Sequence, residues 1–106
     1  TDLEQKSYVG IMESVCEFVY KNQRMTSKYY EAISIRMLEI EDFKNSQKWS
    51  FRAQYQFPNT LATYTCQLKL YFTTNQKDRF FEVLNELKKS SIVIDKETLE
   101  MIRVFL

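Results

Sequence analysis

The sequence predicts one α+β domain in the order α-β-β-β-α-α: a three-stranded antiparallel sheet with helices packed on one face. Three observations lead there. Apolar residues from Tyr8 to Val19 recur at i, i+3, i+4 and i+7. Two long alternating runs flank Pro58, and two amphipathic stretches follow Asn75.

The first helix is expected from Asp2 to about Asn22, with Leu3, Tyr8, Ile11, Met12, Val15, Phe18 and Val19 on its apolar face. Thr1 or Asp2 caps it, and Glu4 lies near the positive end of its dipole. Gly10 inside it costs about 1 kcal/mol relative to alanine. Val9 and Cys16 fall off the main stripe and are free to pack on another chain.

Residues 29–41 carry two patterns. Tyr30, Ile33, Met37 and Ile40 suit a helix, whereas Ile33, Ile35 and Met37 alternate as in a strand. Their β-branched and aromatic content favours the strand. Trp49, Phe51, Ala53, Tyr55 and Phe57 then alternate with polar residues, as do Ala62, Tyr64, Cys66, Leu68, Leu70 and Phe72. Two such runs around Pro58-Asn59-Thr60 predict a β-hairpin. Placing both apolar rows on one face with a four-residue loop, Pro58 to Leu61, sets Tyr55 opposite Tyr64, Ala53 opposite Cys66, Phe51 opposite Leu68 and Trp49 opposite Leu70. The length of this alternation outweighs the rival all-helical reading, in which Leu61 to Phe72 forms a helix.

Thr74 or Asn75 caps a helix running to about Lys89, with Phe80, Val83, Leu84 and Leu87 on one face. Lys88 and Lys89 stand at its negative end. Ser90 to Ile94 is a connector, and Asp95 caps a last helix bearing Leu99, Ile102 and Phe105 or Leu106. No internal repeat or low-complexity tract is evident.

Composition narrows the chemistry. The 106 residues, 44% hydrophobic and 27% charged, suit one packed domain spanning 1–106. A net charge of +1 gives no electrostatic pull toward nucleic acid or membrane. With no histidine and a single glycine, imidazole acid–base chemistry and glycine-rich phosphate loops are excluded. Cys16 and Cys66, both in apolar patterns, are expected as reduced core thiols, which favours an intracellular place, cytoplasmic or nuclear. No apolar run is long enough to span a membrane, and no signal peptide is visible. A start at Thr1 suggests a domain excised from a longer chain.

Candidate sites follow from the sheet. The carboxylate clusters Glu39-Ile40-Glu41-Asp42 and Asp95-Lys96-Glu97 lack a ligand loop and are expected as solvated ends. No catalytic residue, metal, cofactor or small-molecule substrate is expected. The polar sheet face, with Arg52, Gln54, Gln67 and Lys69 among its residues, is expected to dock a partner, with Tyr71 as its apolar anchor. Most aromatic residues, including Phe18, Phe51, Phe57, Phe72, Phe80 and Trp49, fit buried rows. Tyr29, Phe43, Tyr71 and Phe81 fit none and mark a contact patch. The expected function is a non-catalytic protein–protein interaction or assembly module that binds a partner protein or its own copy.

Two resemblances rest on the order of elements. Helix–three strands–helix is similar to double-stranded-RNA-binding domains, and it implies that Lys77 and Arg79 at the start of the later helix would reach phosphates. The same order resembles RWD-type heads that cap coiled coils, although their proline-tyrosine motif is absent and Phe57-Pro58-Asn59 is the sole proline site. A regulatory appendage of a larger enzyme or transcription factor is the remaining alternative.

Overall fold

The alternating stretch around Pro58 is a pair of helices. In the computed structural model, which describes residues 2–22 and 24–106 with side chains from Gly10 onward, six helices follow one another. They are α1 (Asp2–Asn22), α2 (Ser27–Glu39), α3 (Phe43–Gln56), α4 (Leu61–Thr73), α5 (Lys77–Lys89) and α6 (Lys96–Phe105). Among the described residues there is no strand and no sheet. The α+β class, the antiparallel sheet and the β-hairpin with its register are therefore corrected to an all-helical fold. Both topological resemblances, to RWD-type heads and to double-stranded-RNA-binding domains, fall with the sheet. Thr1 and the side chains of Asp2, Leu3, Glu4, Tyr8 and Val9, invoked above for the first helix, lie outside the described residues.

Local chemistry explains where each helix starts and stops. Thr26 caps α2 by accepting from the Tyr29 amide at 3.3 Å, and Thr60 caps α4 by accepting from the Thr63 amide at 3.4 Å. Asp42 Oδ1 accepts from the Asn45 amide at 3.2 Å to begin α3. At the other ends, α2 and α4 stop in the same way. Glu41 and Asn75 take left-handed backbone, with φ of 62° and 55°. The Asp42 amide then donates to the Met37 carbonyl at 2.8 Å, and the Gln76 amide to the Tyr71 carbonyl at 2.8 Å. These are paired Schellman closures. Asp95 caps α6 as its sequence position suggests, Oδ1 accepting from the Thr98 amide at 2.9 Å. Its carboxyl is held below the usual aspartate range chiefly by a hydrogen bond with the Thr98 side chain, and the Thr98 amide adds to that. Asp95→Ala should lower unfolding stability by about 1 kcal/mol, measured as a shifted urea midpoint at pH 7.

The matching turns reveal a repeat that the residues conceal. Thr60 lies 34 positions after Thr26, and Asn75 lies 34 positions after Glu41. α1 ends at Asn22, 34 positions before the end of α3 at Gln56. The slots inside the two hairpins hold different residues. Ser34, Ser46 and Ala53 are buried in the first, where Leu68, Phe80 and Leu87 are buried in the second. In the first hairpin Ser34 Oγ donates to the Ser46 carbonyl at 2.9 Å, and Ser46 Oγ donates to the Ser34 carbonyl at 2.8 Å. Small residues joined by reciprocal hydrogen bonds thus fill the place that bulky apolar ones fill in the second.

The core has two parts that meet along α4. Met25, Tyr30, Met37, Trp49, Ala53 and Cys66 form one, against which Met12, Cys16, Val19 and Tyr20 of the N-terminal half pack. Leu68, Leu70, Phe80, Leu84, Leu87 and Met101 dominate the other, with Phe72 and Phe105 beside them. Every residue of α4 from Ala62 to Leu68 is buried, because α2, α3, α5 and α6 all pack on it. Both cysteines are free. Cys66 is buried and its thiol is pushed up to about 12 mainly by burial, whereas Cys16 is half-buried.

Candidate functional site

A groove runs between α3 and α5 with α4 as its floor. Two adjoining cavities of about 620 and 360 Å³ share Gln54, Gln67, Glu82 and Val83, so they form one trough. α5 supplies Arg79, Glu82, Val83, Glu86 and Lys89, the face that a helix repeats every three or four residues. The end of α3 and the turn after it supply Gln54, Pro58 and Asn59. The floor is polar but deeply placed: Gln67 is 4%, Tyr71 6% and Tyr64 8% exposed. Gln67 Nε2 donates to Gln54 Oε1 at 2.9 Å across the trough.

The residues proposed from sequence divide into three groups. Gln54, Gln67, Tyr71 and Arg79 come together in this groove, and the Arg79 guanidinium lies 6.0 Å from the Tyr71 ring centre. They meet on helical faces, not on a sheet face. Arg52 belongs elsewhere, clamped between α1 and α3. Lys69 Nζ pairs with Glu97 Oε1 at 2.9 Å and ties α4 to α6. Phe81 joins an aromatic cluster, its ring 5.4 Å from Phe80 and 6.3 Å from Phe105. Tyr29, Phe43 and Lys77 are exposed on α2, α3 and α5 without a described ring or ion-pair contact to one another. The aromatic patch of Tyr29, Phe43, Tyr71 and Phe81 is therefore four separate places.

The carboxylate clusters have local duties. Glu39 pairs with Arg36 at 3.0 Å, Glu41 makes the left-handed turn and Asp42 caps α3. Among the described residues no group of three or more His, Cys, Asp or Glu is arranged to hold a metal ion.

A second surface escaped the sequence reading because the single apolar face expected of α1 divides into two. Met12, Cys16 and Val19 of α1 turn toward the body, while Ile11, Val15 and Phe18 are 65%, 58% and 62% exposed. Cys16, off the expected stripe but expected as a core thiol, faces in, and Phe18, expected in the core, faces out. α1 is attached by charge and rings as much as by apolar contact. Glu17 accepts from Arg52 Nη1 at 2.7 Å and from Lys48 Nζ at 2.9 Å, while Lys48 also reaches Glu13 at 3.2 Å. The Arg52 guanidinium lies 3.9 Å from the Tyr20 ring centre and 4.6 Å from that of Trp49. The hydrogen bond from Arg52 holds the Glu17 carboxyl below the usual glutamate range. Burial tends to lower the Lys48 ammonium, but its bonds to Glu17 and Glu13 outweigh that and raise it. Two apolar faces on one helix were the available signal, since seven apolar positions from Ile11 to Val19 and Tyr20 exceed one stripe.

No family model matches the chain, and no curated protein or solved structure matches it. Among the described residues no helix is long and apolar enough to cross a membrane.

Proposed function

We propose that the chain is a non-catalytic interaction and assembly module, a short stack of helical hairpins that adds a helix of a second copy along the outer face of α1. The exposed row Ile11, Val15 and Phe18, on a helix whose opposite face already packs, carries this reading. Repetition supports it. Helix–turn–helix units of about 34 residues are the period of tetratricopeptide-type stacks, in which each unit buries its neighbour's face. Trp49 and Arg52 of α3, which receive α1, correspond by the 34-residue offset to Val15 and Phe18 of α1. The same side of the preceding unit is thus open to the next helix.

Three side chains cover much less than the roughly 800 Å² per partner of a standard stable interface. Association should therefore be weak, with a dissociation constant of about 100 µM. Sedimentation equilibrium at rising concentration is expected to show dimers for the native chain. The double variant Val15→Glu, Phe18→Glu should remain a monomer with unchanged helical circular dichroism. A native chain that stays monomeric well above that concentration overturns the reading.

A further inference from the structure

The groove between α3 and α5 carries an inference that goes beyond assembly through α1. Gln54 and Arg52 sit two residues apart and on different sides of α3: Arg52 meets α1, and Gln54 meets α4 and the groove. The Gln54–Gln67 bond uses one acceptor and one donor of the amide pair. One carbonyl and one NH₂ group remain, and turning both amides around leaves the same inventory. No described residue bonds the remaining Gln67 oxygen or the Tyr64 and Tyr71 hydroxyls, although each of these side chains is more than nine-tenths buried. Each of these atoms keeps contact with solvent, since the indole nitrogen of Trp49 is the one fully buried side-chain atom without a partner among the described residues, and all three residues line the groove. Deeply placed polar atoms without partners cost about 1–3 kcal/mol each when water is displaced. A ligand that displaces water here must supply donors and acceptors in return.

Charge narrows the class. Arg79 and Lys89 at the two ends of the α5 wall are balanced by Glu82 and Glu86 between them. A polyanion finds no net attraction in such a trough. Length narrows it again. From Arg79 to Lys89 the helix rises about 15 Å, room for four or five extended residues at about 3.3 Å each.

We propose that this trough seats four or five residues of an uncharged, extended peptide, held by main-chain hydrogen bonds to the Gln54–Gln67 amide pair. A peptide unit carries one donor and one acceptor, the complement of what the pair leaves open. The side chains of the ligand then matter less than its backbone.

The test uses a phage-displayed library of random heptapeptides panned on the whole chain, followed by titration with a selected peptide capped at both ends. Its binding should shift the side-chain amide resonances of Gln54 and Gln67. Affinity should change less than about twofold between low and high salt, since no phosphate-like charge is neutralised. Methylating a single central peptide nitrogen, or substituting Gln67→Leu, should weaken binding about tenfold or more, one hydrogen bond of about 1.4 kcal/mol. Gln54→Ala, at an exposed position, gives the same readout if Gln67→Leu disturbs folding. Failure to select any peptide, selection of charged peptides whose affinity collapses in salt, or shifts confined to Val15 and Phe18 would each overturn the proposal. The glutamate variants of α1 leave this groove intact, so the two readings fail separately.

Discussion

Trp49→Ala should remove about 3–5 kcal/mol of stability, the range for truncating a buried aromatic side chain and a large share of the roughly 5–15 kcal/mol that holds an ordinary domain folded. Trp49 is fully buried where α1, α2 and α3 meet. Its ring lies 5.7 Å from Tyr20, nearly perpendicular to it, and 6.0 Å from Tyr30. Truncation would open a cavity beneath three helices at once. Trp49→Phe should cost less, about 2 kcal/mol or under, because the indole nitrogen has no hydrogen-bond partner among the described residues and removing it relieves a desolvated donor. Urea unfolding followed by circular dichroism measures both, since Trp49 is the sole tryptophan and its fluorescence is lost with it. Equal costs for the two variants would show that ring size is not what the site uses.

Arg52→Ala should release α1 from the body without unfolding the hairpins, at an expected local cost of about 2–3 kcal/mol. The estimate lies below that for a fully buried pair because Arg52 and Glu17 each keep about a quarter of their side-chain surface exposed, 25% and 25%. Amide hydrogen exchange within α1 should then quicken by about 30- to 160-fold, while that of α4 stays slow. The same clamp gives α1 a pH window. Glu17 is held below its ordinary range, so its contribution is full above that range and disappears as pH falls through the lowered value. Lys48 is raised, so its contribution is full below the ordinary lysine range and disappears as pH climbs through the raised value. Protection of α1 should therefore be flat from about pH 6 to pH 9 and fall on the acid side first. Arg52→Ala should flatten the acid fall as well as lower the plateau. An acid fall of undiminished size in that variant would place its origin elsewhere.

Parts of the fold were legible because their signals are local. α1 and α5, and α6 with its Asp95 cap, show amphipathic spacing that any buried face would require. The hairpin error arose because period two and period four share positions. Trp49 and Ala53 belong to the alternating row and also to one helical face, while Phe51 and Tyr55 of the same row turn out to solvent, Tyr55 to 89% exposure. In α4 the test fails for another reason. A helix enclosed by four others buries Thr63, Thr65 and Gln67 together with Ala62, Tyr64 and Cys66, so polarity no longer marks a face. Three groove residues, Gln54, Gln67 and Tyr71, were singled out on the premise of a sheet and Arg79 as a phosphate contact at a helix start, and helical faces assembled the four from three different helices.

By itself, the sequence determined the local matters: which stretches have a greasy side, where Asp95 stops the chain from fraying, and that histidine chemistry is absent. Only tertiary packing decided that residues 49–56 and 61–73 are helical, that Ser34 and Ser46 occupy slots filled in the next hairpin by leucine and phenylalanine, and which side of α1 faces water. The reason is energetic. Capping and spacing act within one or two turns at about 1 kcal/mol apiece, whereas the choice between coil and ribbon for an apolar, β-branched stretch is made by the surfaces it meets, and those come from distant parts of the chain.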